Sequence, residues 1–129
     1  MSFKNLFALT LLMLLAISCK KEDAPNGETD NLFKFRDYIS YTTAGRVSIA
    51  DPIMISLSND VEGWTIGQEI TDKIIKIEPN VQGRLLVENS HTLVFKPDES
   101  LKSDTEYSVM VKLDEIYKNQ PKEFATYTF

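Results

Sequence analysis

The chain contains one cysteine, Cys19, and one histidine, His91. A metal site built from several Cys and His ligands cannot be assembled from one of each. His91 lies in residues 89–92, a hairpin-like connection that predicts a turn residue. Nothing around it indicates an oxyanion hole, so we expect no Ser-His-Asp catalytic set. The sequence therefore predicts no enzyme, no metal site and no cofactor.

Four acidic residues, Asp60, Glu62, Glu69 and Asp72, fall in a long connection between the second and third predicted strands. Oxygen ligands of this kind could hold Ca²⁺, but the segment lacks the ordered acid spacing of a calcium loop. The pattern favours a solvated acidic loop. Trp64 in the same loop is either an exposed binding anchor or a cap on the open end of the domain. We take Trp64 and Glu62 as candidate residues of a binding loop.

The N-terminal segment is predicted to be a secretory signal. Lys4 precedes an apolar run at residues 6–17. That run is too short to span a hydrocarbon core of about 30 Å, which needs about 20 residues. A basic residue, a short apolar region and small residues after it are typical of a signal peptide. We therefore predict that residues 1–18 form a signal peptide and are not part of the fold.

Residues 15–19 resemble a bacterial lipobox, in which the cysteine is lipidated and becomes the first residue of the mature chain. The usual Leu and small residue are replaced here by Ala16 and Ile17, and only Ser18 is typical. The resemblance implies that Cys19 carries three acyl chains. Two or more chains anchor a protein stably, since each buried CH₂ contributes about 0.8 kcal/mol.

The segment after Cys19 is polar. Residues 20–23, Lys-Lys-Glu-Asp, are either a solvated spacer or similar to the export signal of Bacteroidota surface lipoproteins. Residues 24–31 contain almost no apolar side chain, so residues 19–31 are predicted to be a lipidated Cys followed by a flexible tether. These features predict an outer-membrane lipoprotein of the bacterial cell envelope, exposed at the surface if the export signal operates.

The negative net charge of the chain limits which partners it is expected to bind. Removal of the signal peptide takes away only Lys4 and changes the net charge from −5 to −6. An acidic surface argues against binding nucleic acid or docking on anionic lipid. Contact with the membrane is therefore expected to come from the lipid on Cys19.

Residues 32–129 are predicted to form one all-β domain. Apolar residues make up 43% of the chain and charged residues 26%, which is ordinary for a folded domain. Hydrophobicity alternates with a period of two in residues 105–113, and Ile53, Ile55 and Leu57 alternate in the same way. The predicted core-facing set of the first segment is Tyr107, Val109, Val111 and Leu113.

Turn signals separate about seven such segments. Seven short strands spaced by about 8–14 residues are typical of an Ig-like antiparallel β-sandwich. Tyr107 stands near the start of the sixth strand, where it is either a tyrosine corner bonded to upstream backbone or a plain core residue. Residues 113–119 predict a short helical turn.

Several segments carry a family resemblance, which covers about residues 35–129. They are residues 66–70, 77–83 and 92–97, followed by Leu101 and residues 105–109. In this order they are similar to the first domain of large Bacteroidota α2-macroglobulin-like lipoproteins. The pattern from Phe95-x-Pro97 to Tyr107-x-Val109 also resembles bacterial Ig-like domains of S-layer and adhesin proteins.

The resemblance implies a structural role. Macroglobulins trap proteases through a bait region and, in many, a Cys-Gly-Glu-Gln thioester, and this much shorter chain has neither. We interpret it as the membrane-anchored N-terminal domain, in fragment or truncated form, of a macroglobulin-type protease-inhibitor lipoprotein, with further macroglobulin domains or a protein as partner. The alternative is a stand-alone surface Ig-like lipoprotein that binds a glycan or a protein.

Overall fold

The computed structural model describes residues 27–129, which form seven strands, one α-helix and two 3-10 helices. The elements, in chain order, are α1 (Gly27–Lys34), β1 (Ile39–Thr42), β2 (Ile53–Leu57), β3 (Ile75–Glu78), β4 (Gly83–Asn89), β5 (Thr92–Pro97), β6 (Ser108–Lys112), the 3-10 helices Leu113–Glu115 and Lys122–Phe124, and β7 (Thr126–Thr128).

The strands form two antiparallel sheets. The four-stranded sheet has the order β1-β2-β5-β4, and the three-stranded sheet has the order β3-β6-β7. Neighbouring strands in both sheets are antiparallel. The predicted all-β, Ig-like sandwich of about seven strands is confirmed.

The core lies between the sheets and is filled by the side chains that the alternation assigned to it. On β2, Ile53, Ile55 and Leu57 are 5%, 0% and 1% exposed. On β6 and just after it, Val109, Val111 and Leu113 are buried, whereas Met110 is on the exposed side. Tyr107 is partly buried against the core. A strand sorts alternate residues to opposite faces, which explains why the period of two located the core correctly.

Helix α1 includes the last five residues of the segment predicted to be a tether. Residues 27–31 belong to α1, so the predicted domain boundary at residue 32 falls inside a helix. The helix is held by tertiary contacts: the Asn31 side-chain amide donates to the Thr128 carbonyl at 2.8 Å, and Phe35, just after α1, is 5% exposed. The Phe35 ring packs edge-on against Phe124 and Tyr127, each with centroids 5.2 Å apart. Contacts with residues almost 100 positions away are invisible in local composition.

These contacts also fix the direction of α1. Asn31 contacts Thr128. Phe35, four residues further along the chain, contacts Tyr127 and Phe124, which precede Thr128. The segment 31–35 therefore runs antiparallel to residues 124–128. Gly27 consequently points toward the end of the sandwich where β7 ends.

Two 3-10 helices precede β7. The second ends at Phe124, and β7 begins at Thr126. Residues 113–119 were predicted to make a short helical turn, and Leu113–Glu115 forms one.

Tyr107 forms a tyrosine corner. Its hydroxyl oxygen accepts a hydrogen bond from the backbone N–H of Lys102 at 3.0 Å. The bond ties the connection between β5 and β6 to the start of β6, as such corners do in Ig-like sandwiches. The structure thus decides between the two interpretations of this residue.

Candidate functional site

The predicted lipidation site lies outside the described residues, as do the signal peptide and residues 19–26. Anchoring through Cys19 therefore stays a prediction. Within residues 27–129, no helix combines the length and the apolar character needed to cross a membrane.

The predicted binding loop connects β2 and β3. Trp64 is partly buried and packs against the core, and Glu62 is exposed. Gly63 and Gly67 adopt φ values of +85° and +82°, the left-handed region that favours glycine in turns. The placement of Trp64 is that of a cap on the open end of the sandwich, and a binding role for Trp64 and Glu62 stays a prediction.

A polar cluster that the sequence analysis missed stands at this end of the sandwich. Backbone bonds join the β2–β3 loop to the β4–β5 hairpin: the Leu57 N–H donates to the His91 carbonyl, and the Val61 N–H donates to the Ser90 carbonyl, both at 2.7 Å. They bring Asp60 against the hairpin turn. The Ser90 hydroxyl donates to Asp60 Oδ1 at 2.6 Å, and His91 Nδ1 lies 3.1 Å from the same oxygen.

This cluster contains the residue types of a catalytic triad without its arrangement. In a triad the carboxylate binds one imidazole nitrogen and the other nitrogen takes the serine proton. Here Ser90 Oγ and Asp60 Oδ1 both approach Nδ1, at 3.4 and 3.1 Å, and Ser90 donates to the carboxylate. The imidazole is therefore not placed as the base of Ser90.

The cluster does affect protonation. The Ser90 hydrogen bond, and then the contact with His91, hold the pKa of Asp60 below its ordinary value near 3.8, because both interactions favour the ionised carboxylate. His91 lies in the turn of the β4–β5 hairpin, as predicted. We conclude that the cluster clamps the loop to the hairpin.

The remaining acidic side chains of the β2–β3 loop do not form a cluster. Glu62, Glu69 and Asp72 are exposed, and across residues 27–129 no group of three His, Cys, Asp or Glu side chains is arranged to hold a metal ion. Glu69 instead pairs through its backbone with Leu86 as an isolated antiparallel bridge. Together with bonds from Gly67 and Ile70, this bridge covers the free edge of β4.

The opposite end of the sandwich carries a half-open groove of about 470 Å³. It lies between the β1–β2 loop and the β5–β6 connection, which are joined by a bond from the Leu101 N–H to the Ile49 carbonyl at 2.9 Å. Val47 and Ile49 on its rim are 44% and 45% exposed. Charged groups of both signs, including Arg46 and Asp104, line it as well. The groove offers apolar contact without a concentration of one charge.

Fold and surface together define the class of protein. Two packed antiparallel sheets, a tyrosine corner and loops clustered at both ends are the features of an Ig-like β-sandwich. The sequence profile of the bacterial Ig-like domain family, Big_5, matches residues 37–129, and the chain belongs to this family. A search of curated proteins found no match. Domains of this family are generally structural and non-catalytic, and the fold suggests a structural or binding role.

Proposed function

We propose that this protein is a lipid-anchored, structural Ig-like module of the bacterial cell envelope, held to the outer membrane through Cys19. The observation that carries the proposal is the position of the only cysteine, at the boundary between the apolar run of residues 6–17 and a polar segment. The match to the Ig-like domain begins at residue 37, 18 residues after Cys19, which suits a module that is displayed close to a membrane.

The finer proposal is that the module is the N-terminal domain of an α2-macroglobulin-like protease-inhibitor lipoprotein. It is supported by the resemblance of residues 66–70 and 77–83. In the structure the first of these segments lies along the edge of β4, where Gly67 donates to the Val87 carbonyl at 2.8 Å. Its role within this chain is to protect a sheet edge, and protease trapping is assigned to none of its residues.

The anchoring is tested by membrane fractionation of cells that produce the full chain. The expected result is membrane association of the wild type and accumulation of an unprocessed, soluble or loosely bound precursor for Cys19→Ser. Ser18→Ala is the matched control, since it keeps a small residue beside the cysteine and should leave anchoring intact. A free Cys19 thiol in the mature chain, found by intact-mass analysis, contradicts the proposal.

The macroglobulin proposal is tested separately, by the size of the protein that the gene produces in its natural source. An antibody against residues 27–129 should detect a lipoprotein many times longer than this chain in the source organism. Detection of a product of about 129 residues favours instead the stand-alone surface lipoprotein. The groove with Val47 and Ile49 on its rim would then be the first place to test for glycan or protein binding.

A trapping role for the domain itself is tested with purified residues 20–129. A macroglobulin blocks the cleavage of large protein substrates by a trapped protease and leaves cleavage of small peptides intact. We expect this fragment to affect neither. Selective protection of the protein substrate would overturn the structural role.

A further inference from the structure

An apolar row crosses the four-stranded sheet on the side away from the core. Val94 is 3% exposed, yet it does not belong to the core cluster, which contains its neighbours Leu93 and Phe95. Its partners in the register are Met54 on β2 and Leu86 on β4, both partly buried. Met54, Val94 and Leu86 therefore form one continuous row, here named the outer row.

Opposite charges flank the outer row. Arg84 and Lys96 are paired in the register of β4 and β5, one step beyond Leu86 and Val94 on the outward side, and both are exposed. Glu88 is exposed at the other end of β4, two residues after Leu86. The three ion pairs formed among residues 27–129 involve none of these side chains. The face is thus basic on one side of an apolar row and acidic on the other.

We infer that this face binds a second copy of the same chain, with a two-fold axis running along the outer row. Such an axis lays β4 of one copy over β4 of the other with the strand direction reversed. Arg84 of each copy then lies over Glu88 of the other, and the outer row packs against itself. The same patch on both subunits is self-complementary, which is what a two-fold dimer requires.

The area available predicts a weak pair. Four strands about 4.8 Å apart and five residues of about 3.3 Å each give a face of about 320 Å². A standard interface buries about 800 Å² on each partner. The exposed ring of Tyr41, 52% accessible on β1, adds apolar contact at the margin. We therefore expect the pair to form where the chain is locally concentrated.

The outer face of the three-stranded sheet is the natural comparison. Lys76 and Glu78 on β3 form an ion pair with each other at 2.5 Å, so their charges are already matched. Met110, 36% exposed on β6, is the large apolar side chain presented there. This face has a single apolar residue where the outer row has three in register.

The test is cysteine cross-linking with a short bis-maleimide reagent, carried out in whole cells that produce the full chain and, separately, on the purified chain at high concentration, so that a loss of anchoring and a loss of pairing are distinguishable. Residues on the axis face their own copies at roughly the 10 Å spacing of packed sheets, which is too far for a disulfide but within reach of a short bis-maleimide, so Leu86→Cys should give a cross-linked homodimer. The controls are Met110→Cys on the other sheet and the chain without a new cysteine. We expect at least about tenfold more dimer for Leu86→Cys than for either control.

Charge reversal tests the proposed orientation. In the Leu86→Cys background, Arg84→Glu and Glu88→Arg should each reduce cross-linking about tenfold, because each places like charges in contact. The double variant should restore it, since the pairs are re-formed with opposite polarity. Equal cross-linking of all variants would overturn the proposal. So would a Leu86→Cys product whose mass shows that the chain is linked to a different protein instead of a second copy.

Discussion

Helix α1 is expected to be part of the stability of the domain, although it precedes the residues that match the family. Phe35, directly after α1, is 5% exposed and makes edge-on contacts with two aromatic rings. Truncating a buried Phe to Ala costs about 3–5 kcal/mol, which includes the lost ring contacts and the cavity left behind. Domains of this size are stable by about 5–15 kcal/mol, so Phe35→Ala removes a large part of the total.

The matched control is Phe33→Ala, which deletes the same atoms two residues earlier. Phe33 is 68% exposed, and its contact with the Arg36 guanidinium, 4.6 Å from the ring centroid, is worth about 0.5–1 kcal/mol. Urea unfolding of residues 20–129 measures both. With a slope near 1.5 kcal/mol/M, a loss of about 3 kcal/mol lowers the midpoint by about 2 M for Phe35→Ala. Equal midpoints for the two variants would refute the docking of this segment.

Three further predictions concern the sandwich itself. Val109→Asp should unfold the domain because it buries an unpaired carboxylate, whereas Met110→Asp should change stability by no more than about 0.5 kcal/mol; similar melting of the two would show that the β6 register is wrong. Gly83→Ala should cost about 1–3 kcal/mol, since the new Cβ would lie 2.6 Å from a Phe95 ring atom; an unchanged urea midpoint contradicts this contact. The wild type should be more stable than Asp60→Asn above pH 3.8, and this advantage should disappear as the pH falls through the lowered pKa of Asp60; a difference that does not vary with pH would exclude the clamp.

Local pattern predicted the sandwich where one face of a strand meets the core and the other meets water. β2 and β6 are such strands, and their alternation identified the buried residues correctly. The tyrosine corner was a testable alternative because it depends on one residue at one position in a strand. These features are encoded within a few consecutive residues.

The features that the sequence did not predict share a different origin. Eight residues of α1 are too few to display a helical period, and its support comes from Thr128 and the rings that Phe35 meets. Asp60 and Ser90 are 30 positions apart, and only the paired loop and hairpin bring them together. The burial of Val94 depends on its neighbours in two other strands. Each depends on tertiary contacts that a single sequence does not contain.

The attachment of α1 through Asn31 and Phe35 has a mechanical consequence for an anchored chain. A pull applied through residues before Gly27 acts on the first turn of the helix before it reaches the two sheets. The Asn31–Thr128 bond carries the load first, and Phe35 carries it next. Release of the eight helical residues would lengthen the connection from about 12 Å to about 26 Å before the two sheets are strained. In a chain anchored through Cys19, the helix would thus be a segment that unfolds and lengthens under load before the sandwich does.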